Sequence, residues 1–456
     1  MEQAKRKRHR MLTTKEAAER LSVSRSRVLE LIKNGQLSAR KLSGVWLVDE
    51  DSVEERMRNV NKKGGRPKAG AGKNEVRFTL MNRTHEVADL VYDEKKLEFT
   101  HIGDASDALR APIGLADASG TIALADFNAW WRNRGIPRTR SGLASLLREA
   151  GTCVPEELLY RNLGLSLSDQ YWIRPCGSGL AWKDVNFFGN DFEQVDAATA
   201  GFAGAASALR AHPDNTSDGN LEKRWVVRDG VRMLRKAGLR NSQEPFNEVV
   251  ATALFRRLLA EGEYVRYSLD EEDPGPACLC ENFLSDEEEY VPALYVMRAL
   301  PQSGSTPDFD HYLACCEALG AGGARGELER MIVCDDIMAN TDRHFRNFGI
   351  VRNVETLECE PAPIFDTGTS LWCDVELAAL ERGETSFESK QFETSPARQM
   401  LLVEDMSWFD PDALEGFIDE AIEILSGDDA IANRIPYVRT ALQHRVSRMI
   451  SIAEWS

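Results

Sequence analysis

Cysteine is scarce in this chain and nowhere arranged for chemistry: the nine cysteines are an odd number, scattered, and no Cys-x-x-Cys pair occurs. A disulfide framework, a zinc knuckle and a dithiol centre are therefore not expected, and Cys278/Cys280 and Cys315/Cys316 read as packing residues. Long apolar runs are missing too, since no segment approaches the ~18 apolar residues of a membrane span. The opening Met1 to Arg10 is basic, yet no apolar stretch with a cleavage site follows it, so no signal peptide is expected and the expected location is cytoplasmic. Positive charge is sparse beyond residue 75, where 37 Lys and Arg face 63 Asp and Glu, whereas residues 1–75 hold 19 against 10. The formal net charge of −17 thus conceals a basic head on an acidic body, and only the head suits nucleic acid. The remaining composition, 43% hydrophobic and 28% charged over 456 positions, is globular and too long for one core, so two or three units are expected.

In the head, Thr13 and Glu16 make a capping box before a short helix carrying Ala17, Ala18 and Leu21. Ser22-Val23 turns the chain, and a second helix opens at Ser24, buries Val28, Leu31 and Ile32 at helical spacing, and stops at Gly35. Strand-like Leu37 to Leu42, a Ser43-Gly44 turn and Val45 to Val48 follow, with Asp49 opening a third helix. From Met11 to about Met57 this resembles the excisionase and MerR-type winged helix-turn-helix, on Leu12-Thr13-Thr14-Lys15-Glu16-Ala17-Ala18 through Val23-Ser24 and on Gly35-Gln36-Leu37-Ser38-Ala39. Recognition helices dock N-terminal end first, which points to Ser24, Arg25, Ser26 and Arg27 for bases and phosphates, with Arg40 and Lys41 of the wing on phosphates. A small protein-interaction domain with solvated charges is the alternative. Asn59 to Asn74 is reduced mostly to Gly, Lys, Arg, Ala and Asn, a flexible linker. Its Gly65-Arg66-Pro67-Lys68 is similar to the core of minor-groove AT-hook peptides, though a solvated linker is the simpler reading.

The chemistry of the body lies in Asn340-Thr341-Asp342-Arg343-His344-Phe345-Arg346-Asn347 and, later, Asp366-Thr367-Gly368. An Asp five positions before an Asn, with an Asp-x-Gly after a short hairpin, is the order of a protein-kinase catalytic loop and metal loop. Phosphoryl transfer is mostly positioning and charge neutralisation, so it needs one Asp to orient the attacking hydroxyl and oxygen ligands for Mg²⁺. Asp342 suits the first task, and Asn347 with Asp366 the second. Asn340-Thr341-Asp342 and Asp366-Thr367-Gly368 also suit plain turns; their order, their spacing and the strand-like Pro363-Ile364-Phe365 favour a phosphate site.

Upstream, Thr216-Ser217-Asp218-Gly219-Asn220 reads as a polar turn, Arg224 to Val227 as a strand, Arg228-Asp229-Gly230 as a hairpin turn and Val231 to Lys236 as the return strand. Its single glycine makes this a weak phosphate loop by itself. Alternation places Arg232, Leu234 and Lys236 on one face, so Lys236 can reach ATP phosphates, with Lys223 as a second cation. A helix at about Pro245 to Ala260 has the stripe Ala251, Leu254, Phe255 and Leu258, with Glu248 on the same face. An inward carboxylate needs a partner, and Lys236 is the natural one. A helix-dipole role for Glu248 is the alternative.

From about Ala200 onward these segments, together with Asp218 to Lys223, Leu234-Arg235-Lys236, Gln243 to Glu248 and Phe365 to Trp372, resemble the HipA family of bacterial serine/threonine kinases of toxin-antitoxin modules. The resemblance implies Asp342 as base, Asn347 and Asp366 on Mg²⁺, and Lys236 on ATP; Lys223, Glu248, Ser217, Gly219 and His344 complete the expected nucleotide side. It also implies a protein substrate, such as a translation factor or an aminoacyl-tRNA synthetase, and self-phosphorylation before the first lobe strand, for which Thr216 and Ser217 are the candidates. The departure is a fused DNA-binding head where the best-known members use a separate partner chain. The expected fold is multidomain: a winged helix-turn-helix over 1–58, a linker over 59–75, an accessory α+β region over 76–200, and a two-lobed kinase-like domain over 201–456 with lobes divided near 300. Aromatic clusters in 76–200, including Trp130-Trp131 before Arg132, Arg134, Arg138 and Arg140, read as buried packing in a region docked on the kinase. Two rival functions stay open: a DNA-binding regulator whose body only senses nucleotide or a partner, and a small-molecule kinase of aminoglycoside-kinase type. No oligomeric state follows from the sequence.

Overall fold

The computed structural model describes residues 11–53 and 74–455, except 22, 34–36, 43–44, 51, 150–151, 153, 201–210, 217–218, 220, 239–241 and 273–274. The chain divides into two compact units, 1–72 and 73–456.

In the first unit the capping box is made reciprocally. Thr13 N–H donates to Glu16 Oε2 at 2.7 Å and Glu16 N–H to Thr13 Oγ1 at 3.2 Å, opening the helix Thr14–Leu21. The second helix is Arg25–Lys33, with Ser24 Oγ accepting from Arg27 N–H at 3.2 Å. Strands β1 (Met11–Thr13), β2 (Ala39–Leu42) and β3 (Val45–Asp49) form an antiparallel sheet in the order β1-β3-β2. The first strand was not expected, because three residues are too few to show a period; it exists because Leu12 pairs with Val48 across the sheet. Leu12, Ala17, Val28, Leu31, Leu37, Val48 and Val53 make this unit's own core. The expected Gly35 stop, the Ser43-Gly44 turn and most of the linker lie outside the described residues.

The second unit begins with β4 (Glu75–Asn82), β5 (His85–Asp93), β6 (Glu98–Ile102) and, after three helices, β7 (Tyr171–Pro175), in the sheet order β6-β5-β4-β7. The helix Leu124–Asn133 lies on it and buries Trp130 and Trp131. The Arg134 guanidinium sits 4.7 Å from the Trp130 ring centroid and is bonded to Asp169, so Trp130, Trp131 and Arg134 are spent internally, while Arg132 and Arg138 stay exposed. Next come β8 (Lys223–Arg228), β9 (Val231–Ala237), β10 (Tyr267–Leu269) and β11 (Ala277–Glu281), ordered β10-β11-β9-β8. The turn Asp229-Gly230 has φ of 51° and 80°, the two positive values a two-residue hairpin of matching twist requires. The helix Glu244–Leu258 packs beside this sheet, with Pro245 in its first turn and Arg256 and Arg257 in its last. A third sheet, β12 (Glu288–Pro292), β13 (Gly349–Asn353) and β14 (Cys359–Pro361), and a set of helices including Ala324–Met338 and Ile435–Trp455 complete the unit.

One continuous core runs from Phe78 through Trp131, Leu254 and Ile332 to Met449. Where the accessory sheet meets β12 and β13, Arg352 bonds buried Glu289 at 2.9 Å and the Tyr171 hydroxyl at 2.7 Å, and Asn82 bonds Glu289 at 3.2 Å. The expected divisions near 200 and 300 fall inside this unit. Among the described residues no helix is long and apolar enough to cross a membrane.

Candidate active site

The segment Asn340 to Asn347 begins where the helix Ala324–Met338 stops. Ala339 takes the left-handed conformation (φ 51°, ψ 48°) and donates back to the carbonyls of Asp335 and Asp336. Asn340 then turns the chain: its Oδ1 accepts from Asp342 N–H at 2.9 Å and its Nδ2 donates to Asp335 at 2.8 Å. Asn347 Nδ2 donates to the Asp342 carbonyl at 2.9 Å, closing the loop. His344 is part of that turn, its N–H on the Asp342 carbonyl at 2.8 Å and its Nδ1 accepting from Arg346 N–H at 3.3 Å.

The loop carrying Asp366 follows β14. In place of the expected strand over Pro363 to Phe365 there is one parallel bridge, Ile364 with Tyr264, because only Ile364 finds a neighbouring backbone. Asp366 has φ 57°, a left-handed conformation that an L residue holds only when its surroundings impose it. They do so from several sides. Asn247 Nδ2 donates to the carbonyls of Gly368 and Ser370 at 2.8 and 2.7 Å. Thr367 N–H donates to Glu248 Oε2 at 2.9 Å. A side chain at Gly368 would put a Cβ 3.1 Å from the Glu244 carbonyl oxygen and 3.2 Å from Glu248 Oε1, so glycine permits the close approach.

Arg343, fully buried, joins the two loops. Its Nε and Nη2 grip Asp335 at 2.9 and 3.0 Å, Nη1 donates to the carbonyls of Asn347 (2.8 Å) and Phe365, and Nη2 also donates to Thr367 Oγ1 at 2.8 Å. Burial works against this charge, but Asp335 raises the pKa above the ordinary arginine value. One guanidinium therefore sets the spacing between the segments that carry Asn347 and Asp366.

Lys236 and Glu248 are 2% and 1% exposed and directly bonded, and the same ammonium also donates to Asp366 Oδ1. Lys223 Nζ lies 3.7 Å from Asp366 Oδ2. Burial disfavours the Lys236 charge, yet Asp366 and Glu248 outweigh it and hold the pKa well above the usual lysine value. For Asp366 burial likewise opposes ionisation, and Lys223 and Lys236 overcome it, holding the carboxyl well below the usual range. Gly219 (φ +97°) faces Lys223, where a Cβ would stand 2.6 Å from Nζ; its carbonyl accepts from Arg140 at 3.0 Å.

Lys236, Lys223, Glu248 and Asp366 are thus brought into one cluster, and Asp342 and Asn347 are tied to it through Arg343. Thr216 is not presented to Asp342 here: it is buried, its hydroxyl donating to the carbonyls of Leu165 and Pro213 at 2.9 and 3.1 Å. Ser217 lies outside the described residues. In the first unit Arg25, Arg27, Arg40 and Lys41 are exposed, as is Ser24; for Ser26 only its place in the helix Arg25–Lys33 is described. The anchoring role of Asp335 escaped sequence reading, although a carboxylate within the apolar run Ile332 to Ile337 signals an internal cation. Lys390, bonded to Asp342 Oδ1 at 2.7 Å, had no such signal.

The donor set fits a hard cation. Asn347 Nδ2 is committed to a carbonyl, which leaves Oδ1 as an acceptor, and Asp366 adds a carboxylate that a cation would share with the Lys236 and Lys223 ammonium groups. Among the described residues no group of three or more His, Cys, Asp or Glu could hold a metal. A cation on these two residues therefore depends on water and phosphate oxygens, as Mg²⁺ commonly does.

A helix-turn-helix domain family matches residues 11–60. A chain of the HipA, HipB and operator DNA complex of the Shewanella oneidensis MR-1 toxin-antitoxin system superposes over 83% of this chain and 98% of its own, with a TM-score of 0.50 and 13% identity. This protein carries a HipA-like kinase fold behind a helix-turn-helix head. The Helicobacter pylori proinflammatory kinase CtkA also matches, over 52% of this chain and 91% of its own, at a TM-score of 0.43 and 17% identity. The comparison with curated proteins finds no match.

Proposed function

We propose that this protein is an ATP- and Mg²⁺-dependent protein serine/threonine kinase of the HipA type whose helix-turn-helix head binds DNA. The observation that carries the reading is the Arg343 clamp, which holds the Asp342/Asn347 loop and the Asp366 loop together beside a buried Lys236–Glu248 pair. Asp342 orients the incoming hydroxyl and takes its proton. Asn347 and Asp366 would hold the metal, which would supply neutralisation of phosphate charge. Lys236, kept in place by Glu248, and Lys223 are the cations available to phosphates, and the absence of a side chain at Gly219 lets the Lys223 ammonium pack against it.

The neighbour from Shewanella was solved with HipB and operator DNA; in this chain the DNA-reading unit is covalently attached, which supports autoregulation of transcription by the kinase chain itself. The phosphoacceptor is a protein hydroxyl, with translation factors and aminoacyl-tRNA synthetases the class that the HipA resemblance suggests. The reading is tested with Asp342→Ala, in which nucleotide binding persists, because it rests on other groups, while transfer of labelled phosphate falls by at least about 10²-fold. Undiminished transfer would take the base away from Asp342 and favour a body that only senses nucleotide.

A further inference from the structure

Asp342 has a charged partner from outside both loops. Lys390 Nζ donates to Asp342 Oδ1 at 2.7 Å while its side chain remains 52% exposed. The following residue explains how a half-exposed lysine keeps that place. Gln391 is buried, and its Nε2 donates 2.7 Å to Asp335 Oδ2, on the carboxylate that Arg343 grips. Upstream, Trp372 Nε1 holds the Thr385 carbonyl at 2.8 Å. Residues 385–391 are thereby fastened at one end to Trp372 and at the other to Asp335, and the chain itself delivers Lys390 to Asp342.

Resting on the kinase reading above, we infer that Lys390 is a catalytic residue that binds the γ-phosphoryl group of ATP during transfer. Reacting atoms in such a step stand ~3–3.5 Å apart, so a hydroxyl on Asp342 places the γ-phosphorus within the sweep of a lysine stem that already reaches Asp342. Lys236 and Lys223 are both engaged with Asp366. Lys390, held at Asp342, adds a cation on the acceptor side, where charge on the transferred group needs a partner. An exposed ion pair alone contributes little to stability and would leave no trace on nucleotide selectivity. A charge-assisted contact to phosphate would leave one.

The test uses the full-length protein, Lys390→Met and Lys390→Arg, with binding of ATP and of ADP measured by calorimetry in Mg²⁺ and with phosphate release from ATP. The expected result is that Lys390→Met weakens ATP binding about tenfold, leaves ADP binding within about twofold, and slows phosphate release, while Lys390→Arg restores most of both. Equal weakening of ATP and ADP would mean a loosened site, no change would mean a surface ion pair, and faster turnover would mean a latch over the base. Each of these overturns the inference. Wild-type protein that binds neither nucleotide would overturn the kinase reading together with it, whereas wild-type binding with an unaltered Lys390→Met variant removes this inference alone.

Discussion

Replacing Arg343 with methionine tests whether one buried guanidinium sets the catalytic geometry. The substitution removes the cation from Asp335, which is 3% exposed, and leaves that carboxylate only the neutral donors Asn340 Nδ2 and Gln391 Nε2. It also strips a donor from the carbonyls of Asn347 and Phe365 and from the Thr367 hydroxyl. Breaking a buried ion pair from one side costs about 3–5 kcal/mol. With an unfolding entropy of ~2.1 cal/mol/K per residue, a unit of about 380 residues has ~0.8 kcal/mol/K, so the melting temperature falls by about 4–6 °C. Calorimetry of the variant reads that shift, and a labelled-phosphate assay reads the loss of transfer. The double variant Arg343→Met/Asp335→Leu separates the two effects. Removing both charges recovers much of the stability, yet the Asn347 and Phe365 segments stay untied and transfer stays lost. A shift under about 1 °C in the single variant, or restored transfer in the double one, would refute the clamp.

Two further outcomes are expected. A fragment covering residues 1–75 binds DNA in a mobility-shift assay, with log K falling against log salt at a slope of about −3.6 if Arg25, Arg27, Arg40 and Lys41 each displace a counterion, and by about 0.9 less for each alanine replacement; absence of binding at low salt would make the head a protein-interaction domain. After incubation with ATP and Mg²⁺, peptide mass spectrometry finds phosphate on Ser217 rather than Thr216, whose hydroxyl must first leave the Leu165 and Pro213 carbonyls; the added charge of about −1.5 to −2 lowers phosphate transfer. Phosphate on neither residue, in protein active on another substrate, excludes that switch.

Local chemistry made part of this molecule legible from its residues. The Thr13/Glu16 capping box, the Asp229-Gly230 hairpin and the turn from Asp342 to Asn347 all act over a few residues, where side-chain type dictates backbone conformation. The inward face of Glu248 was also readable, because a charge on an apolar stripe demands a partner and Lys236 lies only twelve positions away. Other features could not be read, since their reasons lie far off in the chain. Strand β1 depends on pairing with β3. Residues 76–200 share one core with the rest of the body through contacts such as Asn82 with Glu289, 207 positions apart. The Arg343 grip spans Asp335 to Thr367, and Lys390 reaches Asp342 across 48 residues. Periodicity and turn chemistry decide which elements form and which groups carry charge; only the packed chain decides which of those charges meet, because burial forces each one to find a partner wherever the fold supplies it.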